Sequence, residues 1–223
     1  MTETDTGYSI NQEVFDRAEM TRVIKALDQA PIIRSRAGAR HVLRMSVVRE
    51  LAIDPRLLRR AAHFVGSAPT PFRATLFDKS QASNWVVVWH QDTALPLRAR
   101  VEDPSWGPWS VKSGVLYAHA PAWALGTVIA LRVHLDDSTA ANGPLRVLPG
   151  THERGVLSDA DIEGLAREVR PVECLAAMGG VVAMRPLTVH ASSKATDGQS
   201  RRVLHIEYAA ATYLGSGIEL AVD

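Results

Sequence analysis

Asn84-Trp85-Val86-Val87-Val88-Trp89-His90-Gln91-Asp92 is the stretch on which the fold turns. The run from Trp85 to Trp89 is β-branched and aromatic throughout, the composition of a strand buried on both faces. Residues i and i+2 of a strand share a face, so the His90 imidazole and the Asp92 carboxylate can grip one ion. His190, far along the chain, supplies a further ligand. Two histidines and one carboxylate on one side of an ion leave its other positions open, the arrangement expected of a non-haem Fe(II) oxygenase.

Downstream, Gly180-Val181-Val182-Ala183-Met184 and Leu187-Thr188-Val189-His190 read as strands, and residues 192–200 form a dense turn and loop signal. Arg201 opens the next strand, which runs to Tyr208. Pairing the strands on either side of this loop as a hairpin would set Arg201 near the metal ligands. Alternation puts Arg201, Val203, His205 and Glu207 on one face, and Arg202, Leu204, Ile206 and Tyr208 on the other. The second face is the more apolar, which on a simple core rule turns Arg202 inward. The interior of a catalytic barrel is itself polar, however, so alternation alone leaves both arginines open. Either way, a dicarboxylate buried in a barrel calls for a planar, permanently charged fork, which arginine supplies.

The remaining sequence divides into two textures. Before residue 70, apolar residues at Val14, Phe15, Ala18, Val23, Ile24 and Leu27 predict a helix within 11–30 that ends before Pro31. A second helix is expected from Asp54, an N-cap followed by Pro55, to Val65, with Gly66 as its stop. From Phe72 onward, short strands alternate with Gly, Pro, Asn and Asp, as in a sandwich or barrel, with one short helix over 159–170. The expected class is mostly β with flanking α-helices. A single domain spans 1–223, with helical support over 1–70 and a catalytic β-barrel over 71–212.

Three segments in order carry a resemblance: Trp89-His90-Gln91-Asp92, Asn142-Gly143-Pro144-Leu145-Arg146-Val147-Leu148-Pro149-Gly150-Thr151-His152, and Pro186-Leu187-Thr188-Val189-His190-Ala191-Ser192 with Arg201 after it. Together they resemble the phytanoyl-CoA dioxygenase family of Fe(II)/2-oxoglutarate oxygenases. The resemblance implies a double-stranded β-helix, a jelly-roll barrel of cupin-like form. It implies an iron triad of His90, Asp92 and His190, and Arg201 on the distal carboxylate of 2-oxoglutarate. Ser192 would add a hydroxyl donor to that carboxylate, as the matching serine does in relatives. Thr75, Arg132 and Arg73, on strands expected to line the barrel, are further candidates. The implied reaction consumes Fe(II)-activated O2 and the co-substrate 2-oxoglutarate and hydroxylates a small molecule at an unactivated C–H bond, releasing succinate and CO2. Halogenating relatives carry a small residue where this chain has Asp92, which speaks against halogenation; desaturation, epimerisation and ring formation stay open.

Rival readings accompany each assignment. His134-Leu135-Asp136 repeats the His-x-Asp spacing, but it precedes the Asn142-Gly143 turn where the family has an ordinary core strand, so His134 is expected to be structural. His41, His63, His119, His152 and His205 are expected at the surface, in packing or behind the ligands, with cavity lining as the alternative for His205, which shares the Arg201 face. Two other classes remain: a cupin-like metal enzyme that does not use 2-oxoglutarate and has no need of Arg201, and a catalytically silent binding protein of the same fold.

Composition narrows the partners. A formal charge of +1 over 223 residues gives no electrostatic case for nucleic acid, although basic residues gather between Arg34 and Arg44. With 46% hydrophobic residues, the chain can bury a core without disulfides. Cys174 stands alone and is expected on a strand with no chemical role, which points to a reducing compartment. The N-terminus, Met1-Thr2-Glu3-Thr4-Asp5, is polar and acidic with no apolar run behind it, unlike a signal peptide, so a cytoplasmic protein is expected, without a membrane partner. Oligomeric state is not readable. Between Asp92 and Gly126, four prolines and Trp106, Trp109, Tyr117 and Trp123 suggest a long connection with little regular structure. It is expected either to wall the substrate pocket or to cover a sheet edge.

Overall fold

The computed structural model describes residues 5–35, 38–66, 68–81 and 83–223. Residues 1–4 of the acidic N-terminus and Arg36 of the basic cluster lie outside them. The larger sheet contains β1 (Tyr8–Asn11), β2 (Gly38–Arg40), β3 (Thr70–Lys79), β8 (Val128–His134), β11 (Val181–Met184) and β13 (Arg201–Ala209), in the order β1-β11-β8-β13-β3-β2. It thus takes strands from both sides of residue 70. A smaller sheet, β10-β9-β12-β4, is built from β4 (Val87–His90), β9 (Leu145–Val147), β10 (Val172–Cys174) and β12 (His190–Ser192). Pairings within both sheets are antiparallel.

Helices cover the outward face of the larger sheet. In α1 (Arg17–Gln29), the Asp16 carboxylate accepts from Glu19 N at 2.7 Å and the Glu19 carboxylate accepts from Asp16 N at 2.8 Å, a reciprocal cap that fixes where the helix begins. The predicted helix is thus shortened at its start, because Val14 and Phe15 precede the cap and pack as core from a bend. A helix not foreseen, α2 (Ser46–Ala52), follows, and α3 (Pro55–Val65) begins and ends on Asp54 and Gly66 as expected. Their buried residues Met20, Val23, Leu27, Val48 and Leu57 join Ala74, Leu76, Leu131, Leu204 and Ile206 of the sheet in one apolar cluster. The inward face of the larger sheet is left polar. Outside the smaller sheet, α5 (Asp159–Glu168), capped by Ser158, packs Ile162 and Leu165 against Leu148 and Val189.

Three expectations are corrected. The first concerns β4, which is an edge strand paired only with β12, so Val86 and Val88 are 55% and 73% exposed rather than buried on both faces. A bulge in the β12–β4 ladder between Val87 and His90 breaks the alternation along this strand. Second, the strand expected over 187–190 begins only at His190, and β12 and β13 form no hairpin: they belong to different sheets, and the loop 193–200 crosses between them. Third, the 93–125 segment is regular, with β5 (Ala94–Leu97), β6 (Trp109–Lys112) and β7 (Val115–His119) forming a three-stranded sheet before the short α4 (Ala122–Leu125). Its strands, four or five residues long and interrupted by Pro96, fall below what periodicity can register. Trp106 is buried with Leu95, Leu97 and Ala118, and Trp109 packs on the same cluster, so these tryptophans support the sheet from behind. Tyr117, one residue before Ala118, faces the opposite way. The chain closes with a two-stranded ribbon, β14 (Tyr213–Gly215) and β15 (Ile218–Glu219). Among the described residues, no helix is long and apolar enough to cross a membrane.

Candidate active site

His190 sits opposite His90 in the β12–β4 ladder, which brings the two rings to a centroid separation of 4.2 Å. Asp92 lies just beyond the end of β4, held by a bond from its backbone N–H to the Pro186 carbonyl at 2.9 Å. His90 Nε2 is 3.8 Å from one Asp92 oxygen and His190 Nε2 is 3.5 Å from the other. One ligand atom from each of the three lies within 4.8 Å of the other two. Each histidine uses its other nitrogen on the carbonyl two residues back, Nδ1 of His90 with Val88 O and Nδ1 of His190 with Thr188 O, both at 2.9 Å. A carbonyl can only accept, so Nδ1 carries the proton and the Nε2 lone pair faces Asp92, the tautomer a metal requires.

Protonation agrees with that donor set. Its position inside the barrel pushes the Asp92 carboxyl up, but the charges of His190, His205, His90 and Arg73 outweigh this and hold it at about 2. Burial pushes His190 down to about 4, against the opposing pull of Asp92. At neutral pH the group therefore offers an anionic carboxylate and a neutral imidazole. The Asp92 side chain is 37% exposed while His190 is enclosed, so the site opens on one side only. Two imidazoles and one carboxylate so disposed fit Fe(II) with positions left for other ligands.

Gln91, between two of these residues, turns away from them and is buried. Its amide donates to Gly155 O at 2.9 Å and Leu187 O at 2.8 Å and accepts from Leu157 N at 2.9 Å. Gln91 thereby ties the end of β4 to the loop preceding His190. Gln91→Ala leaves three backbone groups short of a partner and is expected to cost about 1–3 kcal/mol in denaturant unfolding. Metal affinity should fall with it, though less than on loss of a ligand.

A second cluster lies on the inward face of the larger sheet. Arg201 bonds Asn142 O through Nε at 3.3 Å and Ser192 Oγ through Nη2 at 3.4 Å, while its Nη1 is buried with no partner. Lys79, opposite Arg201 in the β3–β13 register, is fully buried and donates to Ser192 Oγ at 2.9 Å and to Ser193 O. Arg132 is buried against His205, with Nη1 3.0 Å from Nδ1 of His205, and its Nε has no partner. None of these three cations meets a carboxylate within 4.0 Å among the described residues. Burial and mutual repulsion push Arg201 down to about 10 and Lys79 to about 8. Three desolvated cations without a counter-ion make a site that gains when a dianion enters. The turn beneath them needs Gly143: its φ is +69°, and a Cβ there would meet Ser193 O at 2.3 Å.

The two neighbouring arginines take opposite faces. Arg202 points outward, where Asp136 accepts from its Nε and Nη2 at 2.9 Å each. The same pairing takes Asp136 away from His134, so the second His-x-Asp triplet forms no metal group; His134 is buried and pushed down to about 3 by its burial and by Arg132 and Arg201. Thr75 faces His205 across the β3–β13 ladder. Arg73 is taken up by an ion pair with Glu207 inside the barrel. Cys174 lies on β10, its thiol pushed up to about 12 by burial. Lys79 and the pairing of Glu207 with Arg73 were not foreseen. A lysine sharing strand parity with Arg73 and Thr75 was the available signal for the first.

Fold and site together define a double-stranded β-helix protein with a two-histidine, one-carboxylate centre. Residues 8–203 match the phytanoyl-CoA dioxygenase (PhyH) family model, and the chain belongs to that family, whose members are 2-oxoglutarate-dependent non-haem iron oxygenases. It is 28% identical to L-proline trans-4-hydroxylase of Streptomyces griseoviridis over 48% of this chain and 49% of that protein. The chain thus matches about half the length of that curated relative. AviO1 of Streptomyces viridochromogenes Tue57 has a similar structure, with a TM-score of 0.65 at 22% identity, covering 97% of this chain and 93% of that one. EctD of S. alaskensis, solved with 2-oxoglutarate and 5-hydroxyectoine, aligns with a TM-score of 0.70 at 21% identity over 92% of this chain and 72% of its own.

Proposed function

We propose that this chain is an Fe(II)- and 2-oxoglutarate-dependent oxygenase that hydroxylates a small molecule at an unactivated C–H bond. The observation that carries the reading is the pairing, inside one barrel, of the His90–Asp92–His190 group with buried cations that lack a counter-ion. Iron held there would supply O2 activation coupled to oxidative decarboxylation of 2-oxoglutarate, giving succinate, CO2 and the hydroxylated product. The residues of the chain do the rest. Asp92 and the two Nε2 atoms hold one side of the ion. Arg201 presents its partnerless Nη1, and Lys79 a second positive charge, to the distal carboxylate of the co-substrate. Ser192 donates its hydroxyl to Gly143 O at 2.9 Å while accepting from Lys79 and Arg201, so it aims both cations and can turn its own donor to an arriving carboxylate. Arg132, oriented by His205, adds positive charge, and Thr75 lines the same wall.

A metal enzyme of this fold that ignored 2-oxoglutarate would gain nothing from desolvating Arg201 and Lys79. A silent binding protein is excluded by product alone. Supplied with Fe(II), 2-oxoglutarate and O2, the protein is expected to form succinate slowly without added substrate, and faster with the right one. L-Proline is the first compound to try, given the hydroxylase relative. Asp92→Ala should reduce succinate to background. Iron-loaded protein that forms none, with or without substrate, would contradict the proposal.

A further inference from the structure

The three-stranded sheet brings Lys112 within electrostatic reach of Asp92 without an ion-pair contact. Alternation along β6 and β7 sends Ser110, Lys112, Val115 and Tyr117 to one face, the face opposite Trp109 and Ala118. Tyr117 is buried, and Arg73 and Lys112 both approach its ring, at 5.3 Å and 5.1 Å from the centroid. Its hydroxyl is buried, with the Arg73 guanidinium beside it. Arg40, on the edge strand β2, is aligned with Thr75 and so projects from the same inward face as Arg73. Burial, together with repulsion from exposed Arg40 and from Arg73 and against the pull of Asp92, lowers the Lys112 pKa.

The carboxylates facing this group are already engaged. Glu207 is consumed by Arg73, and Asp92 belongs to the metal group. Lys112, with Arg40 nearby, thus brings positive charge to the Tyr117 ring beside Asp92, and among the described residues neither cation has an acid in ion-pairing contact.

We infer that the substrate carries a carboxylate, which Lys112 and Arg40 hold beside Asp92 with the Tyr117 hydroxyl as a neutral donor. The inference rests on the oxygenase reading above and adds the class of substrate. Lys112 and Tyr117 are then specificity-determining residues. The carboxylate remains at the rim, and the carbon to be oxidised lies inward of it.

The test uses anaerobic protein loaded with Fe(II) and saturated with 2-oxoglutarate, so that the Arg201 cluster is occupied. L-Proline, L-valine and hexanoate are titrated calorimetrically beside their carboxamides, which keep the shape and lose the charge. At least one acid is expected to bind tenfold or more tightly than its amide. Lys112→Met should remove that preference, and Lys112→Arg should restore most of it. Acids that bind no better than their amides, no binding by any acid, or an unaltered preference in Lys112→Met would each overturn the inference. A wild type that prefers the acids but does not bind 2-oxoglutarate would overturn the oxygenase reading alone.

Discussion

Replacing His190 with alanine is expected to abolish stoichiometric Fe(II) binding and, with it, all succinate formation. Substitution of a group that merely supports a metal ligand typically costs 10–100-fold in affinity, so removing a ligand itself should cost more than about 100-fold. Two donors would remain, His90 and Asp92, and both lie at the open side of the site. Folding should suffer little, because His190 donates only to its neighbour's carbonyl and neither the helical layer nor the main apolar cluster depends on it. The check is equilibrium dialysis against Fe(II) under argon, with circular dichroism as the control for folding. Stoichiometric iron in the folded variant would mean that the triad is wrongly assigned.

The second large effect is expected at Arg201. Its replacement by methionine keeps the stem and removes the fork, leaving any bound dicarboxylate facing Lys79 and Arg132 alone. Loss of one partner from a buried, charge-assisted pair costs about 2–5 kcal/mol, roughly thirtyfold to a few thousandfold in 2-oxoglutarate affinity. Stability should move the other way. In the free protein the Arg201 guanidinium is buried, pushed down to about 10 and lacks a partner at Nη1, so removing it relieves a desolvated charge. The expected result is a variant that binds 2-oxoglutarate poorly yet unfolds at the same or a higher denaturant concentration than the parent. A structural arginine would show the reverse, with stability falling and co-substrate affinity unchanged. Arg201→Lys should not rescue, since a point charge cannot replace a planar fork.

Much of this arrangement was legible because it follows from strand parity. The spacing of His90 and Asp92 predicts a shared side wherever the local chain is extended, and it held even though Asp92 lies beyond the last residue of β4. Parity also separates Arg201 from Arg202, but the inward face could be named only once helices were seen covering Leu204 and Ile206. The position of β12 relative to β13 was hidden, because an eight-residue loop can close a hairpin or cross between sheets with the same composition. Exposure of Val86 and Val88 was hidden for a similar reason. A valine-rich run looks the same in a central strand as in an edge strand. Lys79 went unnoticed since a lone lysine at a strand end reads as a surface charge. Only the fold places it opposite Arg201, away from water.

The most direct test of the central claim is an anaerobic titration of the apoprotein with Fe(II) and then 2-oxoglutarate, followed by visible absorption. A weak charge-transfer band of the chelated keto acid, saturating at one equivalent of each, missing in His190→Ala and needing far more 2-oxoglutarate in Arg201→Met, is the predicted result. Protein that binds iron at His90, Asp92 and His190 yet develops no band at saturating 2-oxoglutarate would contradict it.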